Sequence, residues 1–149
     1  MTENGSLESG YVLESVFFPV QQLVTAPADS ADSASDVRWG WDWRWNDHER
    51  FEVGLLLGAP STEARPERLE VAASAAFRVV GEAQTVSVEA FAHSHAPALL
   101  FPYIRQVVDD LTSRSPLGRV LLPPTNVLAL MQKFSADEAT GVKKGRPGA

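Results

Sequence analysis

Between Val37 and Asp47 the chain reads Val-Arg-Trp-Gly-Trp-Asp-Trp-Arg-Trp-Asn-Asp, so that Trp39, Trp41, Trp43 and Trp45 alternate with Gly40, Asp42, Arg44 and Asn46. A period of two is the period of a β-strand, and it predicts a strand with all four indoles on one face. Each buried aromatic removes about 150–250 Å² from water, so four represent roughly 600–1,000 Å². The largest exposed apolar patch of a typical monomer is about 300–600 Å². The stripe therefore needs cover: the chain's own helices, a second subunit, or a ligand that comes and goes. As core it would pack beneath a helix carrying Ile104 and Leu111. If some of the indoles face a ligand instead, Trp39, beside a linker, is the best placed.

Three further strands are expected around this one. Tyr11 to Val24 is rich in Val, Leu and Phe, with Pro19 as a bend or bulge. Strict alternation would put Tyr11, Leu13 and Phe17 on one face and Val12, Val16, Phe18 and Val20 on the other. Arg50 to Gly58 follows the Trp strand after a tight turn at Asn46–Glu49. Arg68 to Val80 is the fourth, with Leu69, Val71, Ala73, Ala75, Phe77 and Val79 on one face. Short links make the last three antiparallel neighbours. Ala26 to Asp36 is a low-complexity acidic linker.

The second half of the chain reads as helical. Val86 to His93 predicts a short helix. Leu100, Ile104, Val107, Val108 and Leu111 then fall on one face of a long one, with Pro102 in its opening turn. Arg105/Asp109 and Asp110/Arg114 are spaced to pair on its outer face. Ser115-Pro116 ends it. An extended apolar strap, Leu117 to Pro124, leads to a short helix through Val127, Leu128, Leu130 and Met131, capped by Thr125 or Asn126. The expected fold class is α+β, a four-stranded antiparallel sheet followed by a long and a short C-terminal helix. The domain spans 11–135, between a disordered stretch 1–10 and a flexible basic tail 136–149. Strands apolar on both faces cannot be covered by one helix, which points to an oligomer.

Composition removes several function classes. A net charge of −6 with pI near 5.0 argues against nucleic acid, which needs a basic face. Cysteine is absent, so disulfides, thiolate metal sites and Cys nucleophiles are excluded. The N-terminus has no basic region followed by an apolar run, and no stretch of 18 apolar residues occurs, so neither a signal peptide nor direct membrane insertion is expected. A cytoplasmic location follows as the expectation. His93-Ser94-His95 lacks the partners of a metal site, His48 reads as a solvated turn residue, and Asp109-Asp110 point in different directions from a helix. No GxSxG, GxxxxGK[ST] or GxGxxG motif occurs. No catalytic residue, metal or cofactor is expected, and the chain reads as a binding protein rather than an enzyme.

The run Leu100-Phe101-Pro102-Tyr103-Ile104-Arg105, then Ser113-Arg114, then Pro124-Thr125-Asn126-Val127-Leu128-Ala129-Leu130 resembles the signature region of SecB, the bacterial protein-export chaperone family, with the spacing between blocks kept. Gln106, Ser115 and Leu117-Gly118-Arg119 depart from the family's usual Glu, Gly and Phe-Pro-Gln. The resemblance implies four antiparallel strands followed by two helices, assembled as a dimer of dimers. It implies an ATP-independent holdase for unfolded preproteins. The client groove it implies would draw on Phe17, Phe18, Trp39, Trp41, Trp43, Leu121, Leu122, Leu128 and Met131. Handover to the SecA motor would use acidic positions on the sheet. Glu70 matches the one on the fourth strand, but the two on the first hold Gln21 and Thr25 here. A dedicated antitoxin client, as in a toxin–antitoxin–chaperone system, is therefore an alternative. A protein of another class, an oligomeric adaptor for one folded partner, is a second.

Overall fold

The computed structural model describes residues 10–29, 37–81 and 86–134. The N-terminal stretch, most of the acidic linker and the basic tail lie outside the described residues. Four strands, β1 (Tyr11–Thr25), β2 (Arg38–Trp45), β3 (Arg50–Ala59) and β4 (Glu67–Val79), precede three helices, α1 (Val88–His93), α2 (His95–Thr112) and α3 (Val127–Gln132). The sheet is wholly antiparallel in the order β1-β4-β3-β2. Three hairpin-connected strands with the first one lying beside the last is a Greek-key order. It leaves β1 and β2 at opposite edges.

The period-two pattern of β2, β3 and β4 does what it predicts. Phe51, Val53, Leu55 and Leu57 of β3 and Leu69, Val71, Ala73, Ala75 and Phe77 of β4 are buried beneath the helices. Trp39, Trp41, Trp43 and Trp45 pair with Leu57, Leu55, Val53 and Phe51, so all four indoles share that face. α2 packs on β4 and β3 and reaches β1 through its buried Leu100, Ile104, Val107 and Val108.

β1 departs from strict alternation. Its pairing with β4 slips between Leu13 and Ser15 and again between Phe17 and Val20, either side of Pro19. Each extra residue turns the following side chains over. Phe17 pairs with Ser74 and so faces away from the helices, whereas Val16, opposite Ala75, joins the core side with Tyr11. The first slip also places Glu14 over an otherwise unfavourable pair. Arg50 and Arg78 are directly opposite one another, and Glu14 bridges them, with both Nε···O distances 3.1 Å.

α2 begins earlier than Pro102 implies. It starts at His95, and Pro97 takes the first-turn position where a missing N–H is harmless. Pro102 lies inside the helix, where it removes one backbone bond. The expected ion pairs on α2 are replaced by others. Asp109 meets Arg119 of the strap at 2.9 Å, Gln106 Nε2 donates to Asp110 at 3.0 Å, and the Arg105 guanidinium lies 6.0 Å from the centre of the Phe101 ring. At α3, Asn126 rather than Thr125 caps the helix, its Oδ1 accepting from Ala129 N.

The strap between α2 and α3 has no regular structure, so its polar backbone needs specific partners. Thr112, fully buried, supplies one: its Oγ1 donates to Val108 O (2.7 Å) and accepts from Val120 N (2.8 Å). Below it, Arg65 donates to the Leu117 and Gly118 carbonyls and lies 2.9 Å from Glu67, which accepts from Ser115 Oγ. Thr112→Val keeps the volume and strands the Val120 N–H. It should cost about 1–3 kcal/mol, and lower Tm by roughly 2–4 °C per kcal/mol. Urea and thermal melts at fixed protein concentration check this; an unchanged midpoint would show that the strap is held by other contacts.

Candidate functional site

β2 is an edge strand, with no partner on its outer side among the described residues. Edge backbone groups point outward and can accept another extended chain. Beside that edge runs the indole stripe, and its cover thins along the strand. Trp45 is buried, in edge-to-face contact with Phe51 (5.4 Å) and Trp43 (6.2 Å). Trp39, Trp41 and Trp43 are only half-buried. Trp39 leans on Phe101 of α2 at 5.8 Å. Trp41 donates from Nε1 to Ala92 O (3.0 Å), which anchors its ring at the C-terminal end of α1, and His93 meets it edge-on at 5.0 Å. The site is therefore a row of indoles pinned at one margin and open at the other.

The residues singled out in the sequence divide among several places. Trp39, Trp41 and Trp43 are together on the stripe. Leu121 and Leu128, on the strap and α3, are the most exposed large apolar side chains, at 69% and 61%. Leu122 packs partly against the core and Met131 is fully buried in it, holding α3 down. Phe18 sits at the far, β1 side of the helical layer, its ring 6.3 Å from Tyr103. Phe17 is on the opposite face of the sheet, where it borders a shallow depression with Pro19, Asp42, Gly54 and Ser74. Phe101, His93 and Phe134 touch the stripe but were not singled out for it. Their aromatic character was the available signal, and only the fold brings them to β2.

The acidic positions considered for motor docking do not form a set. Gln21 pairs with Val71 and Thr25 with Glu67, on the helix side, whereas Glu70 pairs with Gln22 on the outer side. The outer side is charge-balanced: Arg44 pairs with Glu52 at 3.2 Å, Glu14 with Arg50 and Arg78, and Arg68 with Asp29 at 2.8 Å. Among the described residues no group of His, Asp and Glu could hold a metal ion, and no helix is long and apolar enough to cross a membrane.

The connection from β1 towards β2 is tied down at its start. Ser61 Oγ donates to Ala26 O (2.7 Å), Asp29 N donates to Ser61 O (3.0 Å), and Asp29 accepts from Ser61 N and Arg68. Asp29, Arg38, Trp39 and Arg68 line a depression of about 560 Å³ at this end of β2.

A four-stranded antiparallel sheet followed by C-terminal helices is the fold of the SecB-like chaperones. The SecB-like chaperone of Mycobacterium tuberculosis, solved in complex with a ChAD peptide from the HigA1 antitoxin, superposes with a TM-score of 0.57 over 85% of this chain and 98% of that one, at 18% identity. The chain belongs to the SecB family: the family model for preprotein translocase subunit SecB matches residues 34–138. An uncharacterized protein of Methanocaldococcus jannaschii is 26% identical over 91% of this chain and 88% of its own length. The protein-export protein SecB of Alcanivorax borkumensis is 29% identical over 60% of this chain and 59% of its own length. Family membership makes the chain a chaperone rather than an enzyme.

Asp29 gives the connection a pH dependence. The hydrogen bond from Arg68 and then that from Ser61 N hold its carboxyl below the ordinary value of 3.8. A carboxyl depressed in the fold stabilises it above the unfolded pKa, and the contribution disappears as pH falls through the folded pKa. Wild type should therefore resist urea better than Asp29→Asn at pH 7, and the gap should close as pH falls below the usual carboxylate range. A gap independent of pH would show that Arg68 is not the cause.

Proposed function

We propose that the protein is an ATP-independent holdase that binds non-native polypeptides in extended form at the β2 edge. The observation that carries this reading is the half-covered row Trp39, Trp41 and Trp43 alongside a strand edge with no partner among the described residues. An extended client needs two things from such a site: backbone partners that ignore sequence, and apolar surface that tolerates many side chains. The edge offers the first, and the indoles with exposed Leu121 and Leu128 offer the second. Each contact is weak, so affinity should rise with client length as further segments engage.

The opposite edge, β1, which has no outer partner among the described residues, and the back of α2 support self-association, in the family's pattern a homotetramer in the cytoplasm. β1 is 15 residues long and exposes Val12, Leu13, Phe17 and Val24, while Leu99 and Tyr103 are exposed on α2. The proposed groove keeps Leu122 and Met131 as its supporting wall, whereas Phe18, on the β1 side of the helical layer, stands apart from it within one subunit. Phe17 lies across the sheet and would serve it only from a second subunit.

A preprotein client handed to SecA and an antitoxin client are both compatible with this groove. The antitoxin peptide bound by the Mycobacterium tuberculosis relative favours the second. So does the sheet, where Glu70 on the outer side has no acidic counterpart at Gln21 or Thr25 on the helix side. An adaptor for a single folded partner would bind no unfolded chains.

The test is suppression of aggregation of a guanidinium-denatured client at stoichiometric chaperone without nucleotide. Wild type should protect, and longer fragments of one client should bind more tightly than shorter ones. Trp39→Ala and Trp41→Ala should each weaken client binding by on the order of 1–3 kcal/mol if the indoles are contact points. Failure to protect any client, with one folded protein bound instead, would favour the adaptor.

A further inference from the structure

Phe134, the last described residue, folds back onto Trp41, with ring centroids 6.1 Å apart and planes at 52°. Its carbonyl oxygen lies 2.7 Å from His93 Nε2. A carbonyl can only accept, so His93 carries a proton on that nitrogen. The centre of the indole row is thus occupied by an aromatic ring and a main-chain carbonyl, the two groups that one residue of an extended polypeptide would present. They come from the chain itself.

The segment bearing Phe134 is built to come away without unfolding the domain. α3 has six residues and is joined to α2 by a strap without regular structure. Leu130 and Met131 anchor it, while Leu128 is exposed. Beyond Met131 the backbone bonds are short-range: Lys133 N to Leu130 O and Phe134 N to Met131 O.

We infer that Phe134 is an intramolecular occupant of the Trp41 subsite, which an aromatic residue of an incoming polypeptide must displace. The inference rests on the holdase reading above and adds a selection rule to it. A tethered group competes at high effective concentration. When the competent state is only a fraction of the population, apparent affinity falls by that fraction. Segments carrying Phe, Tyr or Trp can replace what they remove. Purely aliphatic segments leave Trp41 less well covered than before, and are held less well.

The experiment compares full-length wild type with Phe134→Ala, using a fluorescein-labelled extended peptide with one central Phe and its twin with Leu there. Phe134→Ala should bind the Phe peptide on the order of tenfold more tightly. His93→Leu, which removes the carbonyl bond and leaves Phe134, should shift affinity the same way by less. It covers the case in which the Ala variant is misfolded. In wild type, saturating Phe peptide should speed amide exchange at Lys133 and Phe134. Equal affinities for wild type and both variants, with exchange unchanged by peptide, would overturn the inference while leaving the holdase reading standing. Binding by none of the proteins would overturn both. Binding by the Phe134→Ala variant alone would support a subsite fully closed in the resting chain.

Discussion

Width governs this structure. Strands lie about 4.8 Å apart, so four of them present a face close to 19 Å across, whereas a helix with its side chains is only about 10–12 Å in diameter. One long helix can seal two strands and lean on a third. α2 does this over β4, β3 and β1. The fourth strand is left to whatever else can reach it, and the chain has placed its largest side chains there. The indoles of β2 are wide enough to be propped from one side, by Phe101, Ala92 and His93, while their outer margins remain open. Burial in β3 is complete and in β2 partial for that geometric reason.

The remaining polar interactions serve to hold the incomplete layer in place. Thr112 and Arg65 fasten the strap where it leaves α2, and the Arg65–Glu67–Ser115 cluster ties the β3–β4 hairpin to the same point. Asp29 and Ser61 do the equivalent for the connection out of β1. Apart from the local Thr112–Val120 and Arg65–Glu67 contacts, these joints span 32 or more residues of sequence, and they sit at the rim of the sheet, not in its centre. The apolar interior is left to packing alone, and the irregular segments are fixed at their roots.

Much of this was legible in the chain. Period two in Trp39–Trp45, Phe51–Leu57 and Leu69–Phe77 gives three strands and their buried face, because alternation admits no other regular conformation. The face assignment in β1 was not legible. Pro19 marks an irregularity, but whether a slip adds one residue or none depends on pairing with β4, which is remote in sequence. The start of α2 was hidden because either Pro97 or Pro102 can open a helix, and tertiary packing of Ala96 and Leu100 favours the earlier. Its ion pairs were misread since Arg119, not adjacent in sequence, outcompetes Arg105 for Asp109. At the candidate site the indoles could be read directly. Their contacts with Phe101, His93 and Phe134 could not, because these depend on how α1 and α3 settle around an edge strand.

A strand edge left open to loose chains is open to copies of itself. The side chains alternating with the indoles bear on that. Laid antiparallel on its own copy with Trp41 at the centre, β2 would set Arg38 against Arg44 twice over. Shifted to centre on Asp42, it would set that carboxylate against its twin. Like charges directly opposite destabilise a pairing, and charged residues are a known guard on edges. The same eight residues that invite foreign polypeptide therefore carry a deterrent against stacking into a fibre of their own.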